Sequence, residues 1–93
     1  MHKQFMDIEF DPAKDAANIA KHGVSLAFGA EVFSDADVLV IATVRVEDGE
    51  RRHKAIGMVD GKLWTAVHVT RDAAVRFISV RRSNDGEERA YRA

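Results

Sequence analysis

Cysteine is missing from all 93 residues, which rules out disulfides and thiolate metal sites. No run approaches the roughly 18 apolar residues that span a membrane. The opening Met1-His2-Lys3-Gln4-Phe5 has no apolar stretch of the kind a signal peptide carries. A cytoplasmic protein without membrane association is therefore expected. Repeats, low-complexity tracts and linkers are lacking too, as are a glycine-rich phosphate loop and a serine-centred hydrolase motif. No two histidines stand at the helical i, i+4 spacing of a metal pair, so no metal or other cofactor is expected.

What is present is an ordinary globular composition, 46% hydrophobic and 31% charged. It suffices for a single domain over residues 1–93, whose core buries somewhat over ~60% of the unfolded surface. The net charge of −1 hides an asymmetry. Residues 1–50 hold four basic against ten acidic side chains, and residues 51–93 hold ten basic against five acidic. Two readings follow. The second half can form a local basic surface for a polyanion, or its charges can be absorbed in cross-strand and helix ion pairs.

Ile8-Glu9-Phe10 reads as a short strand or extended lead-in. Asp11 suits a helix N-cap and Pro12 the first helical position, and the helix runs to His22 before Gly23 ends it. Ser25 caps a second helix, with Leu26, Ala30 and Phe33 as its buried stripe. Four strands follow: Val38 to Val46, Arg51 to Val59, Lys62 to Thr70 and Val75 to Arg82. Glu47-Asp48-Gly49-Glu50 and the strong hairpin signal Asp60-Gly61 supply the first two turns. Asn84 opens a final short helix with Glu87 in a capping-box relationship. The expected fold is α+β, with two N-terminal helices packed on a four-stranded antiparallel sheet and a short C-terminal helix after it.

The candidate chemistry gathers near the end of the chain. Arg76 and Arg81 can clamp a phosphate and stabilise a pentavalent transition state. A regular strand, however, turns positions five apart to opposite faces. Arg76 would then share a face with Ile78, Val80 and Arg82, and Arg81 with Phe77 and Ser79, unless a bulge intervenes. Glu87 can move a proton, or it can simply cap its helix and pair with Arg81. Tyr91, one helical turn on, is a proton donor, a base-stacking platform or an apolar anchor.

His22 can exchange a proton near neutral pH or support the end of its helix as a cation. Lys21 reads as a solvent-facing or partner-facing charge more readily than as a catalyst. Arg51 and Arg52 alternate in facing, so one can reach phosphate while the other guards the strand edge. Trp64 and His68 share a face, which is either a base-binding surface or the polar side of the sheet.

Three segments in this order resemble the BrnT family of toxins of bacterial type II toxin–antitoxin systems. The first joins Phe10-Asp11-Pro12-Ala13-Lys14 to Asn18, Lys21-His22-Gly23-Val24-Ser25 and Val32-Phe33. The second is Gly49-Glu50-Arg51-Arg52 with Ile56-Gly57, and the third is Arg76, Ile78-Ser79, Arg81, Glu87 and Tyr91. Departures are His53 in place of a common aromatic, Ser83 in place of alanine and Phe10 where tryptophan is frequent.

The resemblance implies a fold like that of the RelE ribonucleases and cleavage of RNA that stops translation. It also implies neutralisation by a ribbon-helix-helix antitoxin, with operator DNA bound only through the toxin–antitoxin complex. In that frame His22, Arg76, Arg81 and Glu87 are the catalytic candidates, and Lys21, Arg51, Arg52 and Tyr91 the RNA-binding ones. The rival expectation is a binding module without catalysis, whose basic sheet holds an acidic partner or helps an antitoxin sit on DNA.

Overall fold

A computed structural model describes residues 7–45 and 50–93. Of the turn expected at residues 47–50, residues 47–49 lie outside them, and Glu50 opens β3. The chain runs β1 (Ile8–Glu9), α1 (Pro12–His22), a 3-10 turn (Leu26–Phe28), α2 (Gly29–Phe33), β2 (Leu39–Arg45), β3 (Glu50–Val59), β4 (Lys62–Arg71), β5 (Ala74–Arg82) and α3 (Asp85–Arg92). The strands make one sheet in the order β1-β5-β4-β3-β2. Among the described residues, no helix is long and apolar enough to cross a membrane.

The α+β class is present, but two details differ from expectation. The sheet has a fifth strand and is mixed, because Ile8 and Glu9 pair in parallel with Val75 and Arg76. A two-residue strand is too short to show the alternation by which strands are read from sequence. The second helix also begins as a 3-10 turn, with three residues per turn. Its buried positions are accordingly Leu26, Gly29 and Val32, three apart, and not Leu26, Ala30 and Phe33. Ser25 does cap it, accepting from Ala27 N at 3.1 Å, while Asp15 accepts from Ser25 Oγ and Leu26 N at 2.8 and 2.7 Å.

α1 forms where its ends dictate. Asp11 accepts from Ala13 N at 3.0 Å, Pro12 opens the helix, and Gly23 closes it at φ 81° with its N–H on Ile19 O. Asn18 is the one buried residue of α1. Its amide nitrogen donates to Val24 O and Val80 O at 2.9 and 2.8 Å, and its oxygen accepts from Val80 N at 3.1 Å. Beyond the two residues of β1, this side chain takes the place of a neighbouring strand on the β5 edge, sparing buried backbone groups an unpaired state.

Leu26 and Val32 pack onto Ala55, Ala66, Phe77 and Val80 of the sheet. Gly57 permits the close approach of α2, for a Cβ there would stand 2.4 Å from Val32 O. Both hairpin turns around β4 use positive φ. Asp60 and Gly61 have φ 51° and 80°, as a two-residue hairpin requires, and Asp72 and Ala73 have φ 50° and 69°. An alanine in that left-handed region carries a steric penalty of ~1 kcal/mol. Ala73→Gly is therefore expected to stabilise the protein by about 0.5 kcal/mol, after the entropy glycine gains in the unfolded chain is set against that relief. Thermal and urea melts would show it.

Candidate active site

The register of β4 against β5 decides what the two sheet faces carry. Val67 opposes Ser79, but the next pair is His68 with Phe77, so Ile78 has no counterpart on β4. This one-residue bulge reverses the parity of the strand. Phe77 and Val80 now share the helix-covered face with Ala66 and His68, whereas Arg76, Ser79 and Arg81 share the other face with Val69, Val67 and Thr65. The division expected for a regular strand, with the two arginines apart, is thus overturned.

Lys54 opposes Val67, so it joins the same face, and Arg52 follows it two residues away on β3. Arg51 alternates to the other face and is exposed. The arginine face therefore carries cations from β3 and β5, with Thr65, Val67 and Val69 of β4 between them. Its members differ in how firmly they are held. Arg81 meets Glu87 in a bidentate pair, Nη1 to Oε1 and Nη2 to Oε2, both at 2.8 Å. Among the described residues Arg76 meets Glu9 in a long contact of 3.5 Å, with both side chains substantially exposed.

Glu87 is the centre of this arrangement. It is 4% exposed, and its carboxylate also accepts from Lys54 Nζ at 3.0 Å, Thr65 Oγ1 at 2.9 Å and Asn84 N at 2.9 Å. Asn84 Oδ1 in turn accepts from Glu87 N at 2.8 Å, completing the capping box. Thr65 gives its only hydroxyl proton to Glu87, so in its 2.8 Å contact with Ser83 the serine donates. Ser83 thereby adds a bond to the network.

Burial alone would raise the Glu87 pKa. The bonds from Arg81, the Asn84 backbone, Lys54 and Thr65 outweigh it and hold the carboxyl at about 2, against an ordinary 4.5. The hydrogen bonds to Glu87 also push Arg81 further above its ordinary value, against the effect of its own burial. Glu87 thus stays ionised with both oxygens engaged.

Tyr91 is placed elsewhere. Its hydroxyl donates to Asp35 Oδ2 at 2.5 Å, and the same oxygen accepts from Met58 N at 2.8 Å. The Asp35 bond, with burial and the charges of Asp35 and Asp37 behind it, raises the phenol to about 12. Asp35 is lowered correspondingly, first by Tyr91 and then by the backbones of Met58 and Asp37. The phenol fastens α3 to the segment between α2 and β2.

Lys21 and His22 lie around the β5 edge from the arginines, lining an open cleft of about 180 Å³ together with Lys14, Asn18, Ile78 and Ser79. Ser79 belongs to both neighbourhoods, since it shares the sheet face of Arg76 and Arg81. The structure adds Lys14, Lys54, Thr65 and Ser79 to these two neighbourhoods. Lys14, Asn18 and Lys21 stand at i, i+4 and i+7, a helical spacing that already put them on one side of α1. Lys54 follows Arg52 by two, which strand parity makes legible, but Thr65 and Ser79 needed the register.

His53 stacks on His68 with centroids 5.7 Å apart and planes at 22°. His68 is buried against Phe33 and Phe77. Burial lowers its pKa, with the His53 charge adding to that, while its Nδ1 contact to Ala66 O at 3.1 Å works the other way. His53 Nδ1 is buried without a partner among the described residues.

Two stability tests follow. Between its ordinary pKa and about 2, Glu87 binds a proton in the unfolded chain but not in the folded one. Its contribution is therefore complete above pH ~4.5 and disappears as pH falls toward 2, a loss of roughly 3 kcal/mol. Glu87→Gln should lose about that much at neutral pH and flatten the acid limb of a melting-temperature profile. His53→Phe should gain about 1 kcal/mol by removing an orphaned polar atom while keeping the stack, as denaturant melts would show.

Residues 10–87 match the family model described as the ribonuclease toxin BrnT of type II toxin–antitoxin systems. No individually curated protein matches the chain.

Proposed function

The chain belongs to the BrnT family of ribonuclease toxins of type II toxin–antitoxin systems, and from that premise we propose that β5 and α1 together carry its RNA-cleaving site. The observation that supports this most is the bulge at Ile78, which turns Arg76 and Arg81 to one face and leaves Ser79 between them and the α1 cleft. A phosphate between the arginines and the cleft meets cations from both elements. Arginine suits that role because it remains charged and presents paired N–H groups to phosphate oxygens.

The reaction is attack of the RNA 2′-hydroxyl on the adjacent phosphorus, with the P–O bond to the 5′-oxygen breaking. The products are a 2′,3′-cyclic phosphate and a free 5′-hydroxyl. Arg76, loosely held, is the group that meets the phosphorane; Arg81, oriented by Glu87, supplies the second positive charge. Glu87 acts as a positioning residue, because its oxygens are engaged and its carboxyl stays ionised. His22 is left to exchange protons with the attacking or leaving oxygen. Lys14, Lys21 and Arg52 supply attraction for the flanking backbone, and Arg51, on the other sheet face, contributes only to the longer-range field. Tyr91 serves this reading through the placement of α3.

The protein acts in the cytoplasm and is neutralised by its antitoxin. Resemblance favours a ribbon-helix-helix partner that brings the complex to operator DNA, and the twofold symmetry of such partners favours a hetero-oligomer with two toxins. The mechanism needs no metal. Purified protein should cleave RNA in excess EDTA and leave cyclic-phosphate ends. Arg76→Ala should fold normally yet lose at least ~100-fold in cleavage, the scale of one lost transition-state donor, and should relieve growth inhibition. EDTA-sensitive cleavage, or undiminished toxicity of Arg76→Ala, would overturn this mechanism.

A further inference from the structure

A second cleft, of about 250 Å³, opens on the helix-covered side between the β3–β4 hairpin and the segment that follows α1. Val24, Phe28, Val59, Asp60, Lys62 and Trp64 line it. Trp64 is its principal plane. Phe28 packs against the indole in a T-shaped contact at 4.9 Å and 65°, and the Arg82 guanidinium sits over the ring, 5.6 Å from its centroid. The walls are thus aromatic and aliphatic, while Asp60 and Lys62 place one hydrogen-bond acceptor and one donor group on the lining.

That combination has a specific chemistry. A flat heteroaromatic ring can stack on the indole in place of the exposed Arg82 guanidinium and meet both polar groups through its edge. An aliphatic side chain from a protein partner would use the apolar walls alone. The cleft is also next to the phosphate tract. His22 lines the α1 cleft and Val24 lines this one, with Gly23 alone between them in sequence, a Cα separation of at most about 7.6 Å. Asn18, which lines the first cleft, donates to the Val24 carbonyl and fixes the spacing.

We propose that this cleft is a nucleobase pocket, in which a base unstacked beside the bound phosphate lies on Trp64 and is read by Asp60 and Lys62. The inference rests on the ribonuclease reading and extends it to sequence preference. It makes Trp64 and Asp60 specificity-determining residues, outside the reacting groups.

The chain has a single tryptophan, so the pocket carries its own fluorescent reporter. Titration of the intact protein with each of the four nucleoside 3′-monophosphates should quench Trp64 saturably, with affinities that differ at least ~10-fold between best and worst, the range one base stack and its edge contacts can supply. Inorganic phosphate at equal concentration should leave the emission unchanged. Asp60→Asn keeps the turn, because asparagine tolerates positive φ, and should reorder the four nucleotides. Trp64→Leu should cut kcat/KM for RNA by ~10- to 100-fold and blur the cleavage pattern, while Trp64→Phe should keep both.

Absence of quenching, or an unchanged nucleotide order in Asp60→Asn, overturns the proposal. So does a Trp64→Leu protein that cleaves at the same positions but no longer binds its antitoxin, since the cleft would then belong to the partner. Quenching that Asp60→Asn reorders, from a protein that cleaves no RNA, would instead uphold the nucleotide pocket and remove the ribonuclease mechanism.

Discussion

Strand pairing leaves Ile78 without an opposite residue on β4, and both the packing of the core and the grouping of the β5 arginines depend on that extra position. On one side of the bulge Phe77 must face the helices to fill the core beneath α2; on the other, Val80 must do the same beneath α1. Residues three apart cannot both face inward on a regular strand. The bulge resolves the conflict, and the same reversal gathers Arg76, Ser79 and Arg81 on the opposite face. The core therefore selects the arrangement, and the cationic face follows from it without a separate folding determinant.

The arginine face is stabilised unequally. Burying Glu87 would be unfavourable for a lone carboxylate, and the fold supplies bonds from Lys54, Thr65, Arg81 and Asn84. Three strands and α3 thus converge on one anion. The network fixes Arg81 in a single orientation, whereas among the described residues Arg76 has one long, exposed contact. That division suits a site in which one cation must be placed in advance and another must adapt to its ligand.

Much of the local structure was legible in the sequence because its causes are local. Asp11-Pro12, Gly23, Asp60-Gly61 and the pairing of Asn84 with Glu87 each act within four residues, and each is found where chemistry put it. What was not legible depends on partners distant in the chain. The bulge is defined only against β4, β1 only against β5, and the Tyr91–Asp35 bond joins residues 56 apart. The candidate site shows the same pattern. Its residue types were readable, including the alternative in which Glu87 caps and pairs, but their grouping on one face was set by register.

Asn18 has a mechanical consequence. Its amide grips the backbone of Val80 in both directions, donor to acceptor and acceptor to donor, and also holds the chain where α1 ends. Helix and strand are thereby keyed together, so that sliding one past the other would break every one of these bonds together. Lys14, Lys21 and His22 on the helix and the arginines of β5 are in effect mounted on one frame. A flexible polyanion laid across the seam meets a surface already assembled, and the ordering required on contact falls on the ligand and little on the protein.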